Sequence, residues 1–126
     1  MIIGIGADLI DAARFDGLEA NVRLMDRLFT EDEKIYIGKK GYRSAAGLFA
    51  AKEAAVKAVG TGFAGFWPRD VEITRDEYGK PGVAFHGKAK KLADERGVKK
   101  MHVSITHTDA SAAAFAVATD GENPTN

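Results

Sequence analysis

The chain has 126 residues, with 18 basic and 18 acidic side chains, a formal net charge of zero and no cysteine. That length suits one domain with a sizeable core. Balanced charge gives no global basic field for nucleic acid, and the lack of thiols excludes disulfides, thiolate metal sites and a cysteine nucleophile.

At 45% hydrophobic and 29% charged residues the composition is that of a soluble globular protein. No apolar run approaches the roughly 20 residues that span a bilayer. The expected compartment is the cytoplasm, with no membrane and no nucleic acid as partners.

The opening "MIIGIGADLI" lacks a basic leader and reads as a first, buried strand. Ile3, Ile5, Ala7 and Leu9 share one face; Gly4, Gly6 and Asp8 share the other. Interior glycines are unfavourable in a strand unless something must approach the backbone closely. A carboxylate there is costly unless it is paired or holds a metal. Asp8 therefore reads either as a capping or ion-paired group or as a hard oxygen ligand.

A helix is expected over Ala12 to Leu28 with Asp11 as its cap. Thr30 with Glu33 three residues on is a capping-box signature for a shorter helix ended by Gly38. The basic turn "KKGYRSA" leads into an alanine-dense helix, Ser44 to Val59, terminated by Gly60 and Gly62.

After the aromatic loop "FAGFWPRD", Val71 and Ile73 on one strand face Val83 and Phe85 on another, with "DEYGKPG" as the turn. "KAKKLADERG" is a short amphipathic helix closed by Gly97, and "KMHVSITH" and "AAAFAVAT" are strands joined by "TDAS". The order β–α–α–α–β–β–α–β–β describes one α+β domain over residues 1–120, with residues 121–126 as a disordered tail.

Three places carry possible chemistry. At about 100° per residue, Glu53 borders the apolar stripe of the alanine-dense helix and Lys57 sits one step further toward solvent. The plain reading is an i,i+4 ion pair. The alternative is a ligand lying against the small flanking side chains, with "GTG" offering backbone N–H groups to phosphate. Asp8 and Glu53, with waters and substrate phosphates, would suit magnesium. His107 falls at a strand end before a turn, where it serves either structure or a ligand; His86 reads as exposed.

Other readings fail. "GIGADL" lacks the third glycine of a dinucleotide fingerprint, and there is no Walker A sequence. Ser104 and His107 point to opposite faces of one strand, so they cannot form a triad with Asp109.

"GIGADLIDAARF", "FAAKEAAVKAVGTG", "YGKP" and "HVSITHTDASAAAFAVA" closely resemble, in order from about Ile3 to Thr119, the holo-acyl-carrier-protein synthases. These are small phosphopantetheinyl transferases. The resemblance implies that coenzyme A and an acyl carrier protein are the substrates. A carrier serine attacks the β-phosphate of coenzyme A, and adenosine 3′,5′-bisphosphate leaves.

By the same resemblance, Asp8 and Glu53 match the residues that hold magnesium, and Lys57 matches the lysine that neutralises phosphate oxygens; these three are the expected catalytic set. Gly60 and Thr61 match a loop contacting the nucleotide, His107 a histidine near its adenosine end, and Arg14 an arginine that docks the acidic carrier. The family usually has arginine where this chain has Leu48, so either Lys39, Lys40 or Arg43 substitutes in binding coenzyme A or the affinity for it is lower. The family forms homotrimers with sites between protomers. A non-catalytic coenzyme A-binding module and a plain interaction domain are the rival readings.

Overall fold

A computed structural model describes residues 1–121; residues 122–126, which hold all of the expected tail except Gly121, lie outside the described residues. In chain order the elements are β1 (Ile2–Asp11), α1 (Val22–Leu28), α2 (Glu31–Lys40), α3 (Ser44–Val59), β2 (Val71–Arg75), β3 (Pro81–Phe85), α4 (Gly87–Glu95), β4 (Lys100–His107) and β5 (Ser111–Thr119). This is the expected α+β order. β1, β5 and β4 form one antiparallel sheet in that order, and β2 and β3 form a second.

The expected long helix after β1 is instead two 3-10 turns, Ala12–Phe15 and Leu18–Ala20, followed by α1. Gly17 stands between the turns with φ 76°, a left-handed conformation no helix interior accepts. Asp11 makes no side-chain cap, whereas Asn21 caps α1 by accepting from Leu24 N. The Thr30–Glu33 capping box forms as expected, but Gly38 lies inside α2, which runs on to Lys40 and stops at Gly41 (φ 97°).

Helix α3 has the bounds its sequence predicts and ends on Gly60 in the left-handed conformation. It packs against the inner face of β1 and β5. Ala112, Ala114, Ala116 and Ala118 of β5 meet Ala46, Ala50, Ala54 and Ala58 of α3 in the main core, all of them buried. On β1 the approach is closer still. A Cβ added to Gly6 would stand 2.0 Å from Ala54 O, and one added to Gly4 2.0 Å from Ala58 O. The strand glycines are thus there for the helix backbone, as interior glycines suggested.

Only one face of β1 is covered. The expectation of a fully buried strand is corrected: Ile5 is 72% exposed, Leu9 73% and, on the neighbouring strand, Phe115 56%. The helix lies on the Gly4–Gly6–Asp8 side, which leaves the larger apolar side chains pointing outward.

A buried ion pair, absent from the sequence reading, ties α2, α3 and β2 together. The Lys52 ammonium, fully buried, donates to Glu33 Oε1 (2.8 Å), Pro68 O (3.0 Å) and Val71 O (2.6 Å). Glu33 Oε1 also accepts from Thr30 N (2.8 Å), and Oε2 from Ile73 N (2.9 Å). The carboxylate that completes the capping box of α2 therefore also anchors α3 and β2. Burial lowers the Lys52 pKa, while Glu33 opposes that shift.

Candidate active site

Asp8 lies near the carboxyl end of β1, on the face turned toward α3. Lys57, in the last turn of α3, reaches it: Nζ stands 3.3 Å from Asp8 Oδ1 and 3.0 Å from Ala7 O. Among the described residues Lys57 makes no ion pair with Glu53, so the plain i,i+4 reading does not hold.

Glu53, half-buried one turn earlier, has its pKa raised, first by burial and then by the negative charge of Asp8; Lys57 and Arg14 act against that rise. The four charged groups therefore act on one another. Arg14 follows β1 on the first 3-10 turn, with its guanidinium 5.5 Å over the Phe49 ring. Two carboxylates and two cations from β1, the turn after it and α3 thus converge at one edge of the sheet.

The "GTG" step behaves differently from expectation. Gly60 N and Thr61 N both donate to Val56 O, at 2.9 and 3.3 Å, closing the helix. Those two N–H groups are turned inward, because the left-handed Gly60 folds the chain back over the last carbonyls. Thr61 Oγ1 donates to Gly62 O at 3.0 Å.

The remaining basic residues gather elsewhere. A cavity of about 380 Å³ is lined by Lys40, Arg43, Ser44, His107 and Asp109, among others. Arg43 donates through Nη1 to Asp109 O (2.5 Å), which fixes its reach beside the strand end that carries His107. Lys39 is not among the residues lining this cavity and lines a neighbouring one of about 430 Å³, together with Leu48, Ile73 and Glu72. Neither cavity includes Asp8, Glu53 or Lys57.

His86, read as merely exposed, pairs through Nε2 with Glu72 Oε1 (3.0 Å), while Thr30 Oγ1 donates to Glu72 Oε2 (2.6 Å). No sequence spacing marked that contact, which joins residues 42 positions apart.

The family model for the 4′-phosphopantetheinyl transferase superfamily matches residues 4–118. The chain belongs to that superfamily. Within the superfamily it is 42% identical, over 98% of this chain and 99% of the relative, to a holo-[acyl-carrier-protein] synthase from Caldanaerobacter subterraneus subsp. tengcongensis.

Its fold matches superfamily members of known structure. The holo-[acyl-carrier-protein] synthase from Neisseria meningitidis superposes with a TM-score of 0.84 at 32% identity, covering 94% of this chain and 99% of that one. The holo-(acyl-carrier-protein) synthase from Bacillus anthracis, in complex with CoA (3′,5′-ADP), gives 0.74 at 35% identity, covering 94% and 96%.

Proposed function

We propose that the protein transfers the 4′-phosphopantetheine group of coenzyme A to a serine of an apo acyl carrier protein. Its family membership and its similarity to holo-[acyl-carrier-protein] synthases, one of them in complex with CoA (3′,5′-ADP), support the reaction. The observation that carries the reading to particular residues is the approach of Lys57 to Asp8 beside Glu53.

In this reaction the carrier's serine oxygen bonds to the β-phosphorus as the bond to adenosine 3′,5′-bisphosphate breaks, and the serine proton is released. Little covalent work falls to the protein; positioning and charge neutralisation do most of it. Lys57 is the ammonium we assign to the non-bridging phosphate oxygens. Asp8 and Glu53 would hold a magnesium ion, which supplies positive charge to the diphosphate. The donor set fits: two carboxylates of which Glu53 is disfavoured as an anion by burial and by Asp8, a cost that a cation relieves. Arg14, exposed beside this cluster, is the cation we assign to steering the acidic carrier.

Lys40, Arg43 and His107, which share one cavity, would bind the adenosine end of coenzyme A, with Lys39 in the neighbouring cavity and Gly60 and Thr61 beside Lys57 at the end of α3. Because their cavity excludes Asp8, Glu53 and Lys57, we assign the two halves of one site to neighbouring copies in a homotrimer. The exposed Ile5, Leu9 and Phe115 form an apolar sheet face of the kind that assembly covers. We assign the protein to the cytoplasm; no helix among the described residues is long and apolar enough to cross a membrane.

The test is mass spectrometry of an apo carrier incubated with the protein and coenzyme A, with magnesium or with a chelator. The expected result is a carrier heavier by one phosphopantetheine group only when magnesium is free. An unmodified carrier in both arms would favour a binding module and overturn the proposal. Modification that persists under full chelation would remove the metal but leave the transfer.

A further inference from the structure

Lys52 immediately precedes Glu53, and the reaction above makes no use of it. At about 100° per residue, Ala46, Ala50, Ala54 and Ala58 centre on the sheet side of α3, and Lys52 falls about 180° from that centre. Glu53 and Lys57 fall about 80° and about 40° from it, on one flank. Where those two groups stand against Asp8 therefore depends on how far the helix is rolled about its own axis.

The sheet side does little to fix that roll. Alanine methyls meet alanine on β5 and the bare backbone of Gly4 and Gly6 on β1, so no side chains interlock. On the far side Leu48 and Val56 are buried beside Lys52, but apolar contact has no preferred direction. Lys52 is different. Its ammonium donates to three fixed acceptors: Glu33 Oε1 on α2, Pro68 O in the 3-10 turn Pro68–Asp70, and Val71 O at the start of β2. A buried ion pair is a weak stabiliser, which apolar residues of the same volume often match. What apolar residues cannot supply is direction.

We propose that Lys52 is a positioning residue: its three hydrogen bonds hold α3 at the roll that sets Glu53 and Lys57 against Asp8. Its effect on rate rests on the transferase reading above. About 10° of roll moves a group at the helix surface, about 6 Å from the axis, by about 1 Å. A misplacement of that size can cost about a hundredfold in rate.

Lys52→Met alone would strand the buried Glu33 carboxylate, so the test combines Lys52→Met with Glu33→Gln, which removes both charges. The full chain should still unfold cooperatively. Its kcat for carrier modification should fall about a hundredfold, with a smaller change in KM for coenzyme A. A crystal structure of the variant should show α3 rolled and Lys57 Nζ withdrawn from Asp8. A parental kcat, or α3 unmoved over β1, would overturn the inference while the transferase reading stands.

Should the double variant not fold, Lys52→Cys gives a second route, because the chain has no native cysteine. After alkylation in denaturant and refolding, an aminoethyl group rebuilds an ammonium of lysine's reach, and an aminopropyl group carries it one methylene further. Both keep the buried pair, so a merely structural role predicts equal kcat for the two. Positioning predicts a parental kcat for the first and at least about a tenfold loss for the second. A parental protein that leaves the carrier unmodified overturns the transferase reading and the catalytic part of this inference with it.

Discussion

Lys57 pairs with Asp8 on β1, 49 residues away in sequence, and not with Glu53 one turn before it on the same helix. The ammonium bridges α3 to β1 and stands beside both acidic groups. Replacing Lys57 by alanine should leave the fold intact, because the side chain is about half exposed. Steady-state kinetics should show turnover reduced about a hundredfold, the order found when one charge-stabilising donor is removed, with a smaller change in KM. Equal losses in the two would mean that Lys57 only binds the donor.

Asp8→Asn and Glu53→Gln should each abolish measurable carrier modification. Their effects on folding should differ from those on activity. Because burial and Asp8 disfavour ionised Glu53, Glu53→Gln should raise the unfolding temperature of the metal-free protein. A scan by circular dichroism that finds it lowered would show that the carboxylate supports the fold and not the site.

Gly6→Ala should be among the most damaging single-atom-scale changes in the molecule. The added Cβ would stand 2.0 Å from Ala54 O, a helix carbonyl with no freedom to rotate away. A loss of about 3 kcal/mol in urea unfolding is expected. Gly38→Ala, whose Cβ meets nothing within 4 Å, is the control and should be neutral or stabilising in mid-helix.

Glu72 supplies a pH signature. Burial raises its pKa, but the hydrogen bonds with Thr30 and His86 and the charges of His86 and Lys52 together outweigh burial and leave it below the usual 4.5. A carboxylate depressed in the folded state adds stability above the unfolded value, and loses it as pH falls through the folded one. Glu72→Gln should therefore cost about 1 kcal/mol at pH 7, and the gap to the parental protein should narrow as the pH drops below 4.5. A gap that stays constant between pH 7 and pH 3 would contradict the assignment.

Ile5→Lys should separate the proposed trimer into monomers in sedimentation experiments without unfolding them, since Ile5 is 72% exposed in the single chain. Transfer activity should fall with the assembly. A monomeric variant with parental turnover would mean that each copy holds a complete site.

Helix α3, both hairpins and the Thr30 capping box were legible because each is a local property: cap, glycine stop and period lie within a few residues. Asp8 stood out because a carboxylate within an otherwise apolar strand is unusual, and Glu53 because it borders an apolar stripe. What remained hidden depends on contacts distant in sequence. Which face of β1 is covered is decided by where α3 lies, and the pattern of Ile3, Ile5 and Leu9 alone reads equally as core or as a face awaiting a partner.

Lys52 carries no signal of its own in the sequence, because Glu33, Pro68 and Val71, which close around it, lie 16 to 19 residues away. The 3-10 turns were missed because apolar spacing carried across Gly17, whose left-handed backbone breaks the helix. The inward N–H groups of Gly60 and Thr61 were missed for the opposite reason: a helix stop and an anion loop share the same glycines.

The alanine-to-alanine seam between α3 and β5, with bare glycine on β1, has a consequence for how this enzyme can change. Where large side chains interlock, a loss on one wall can be offset by a gain on the other. Here main chain rests nearly on main chain, so there is no bulk to trade. The spacing between Asp8 and Glu53 is accordingly set by backbone thickness, and substitutions along that seam have almost nowhere to go but toward failure.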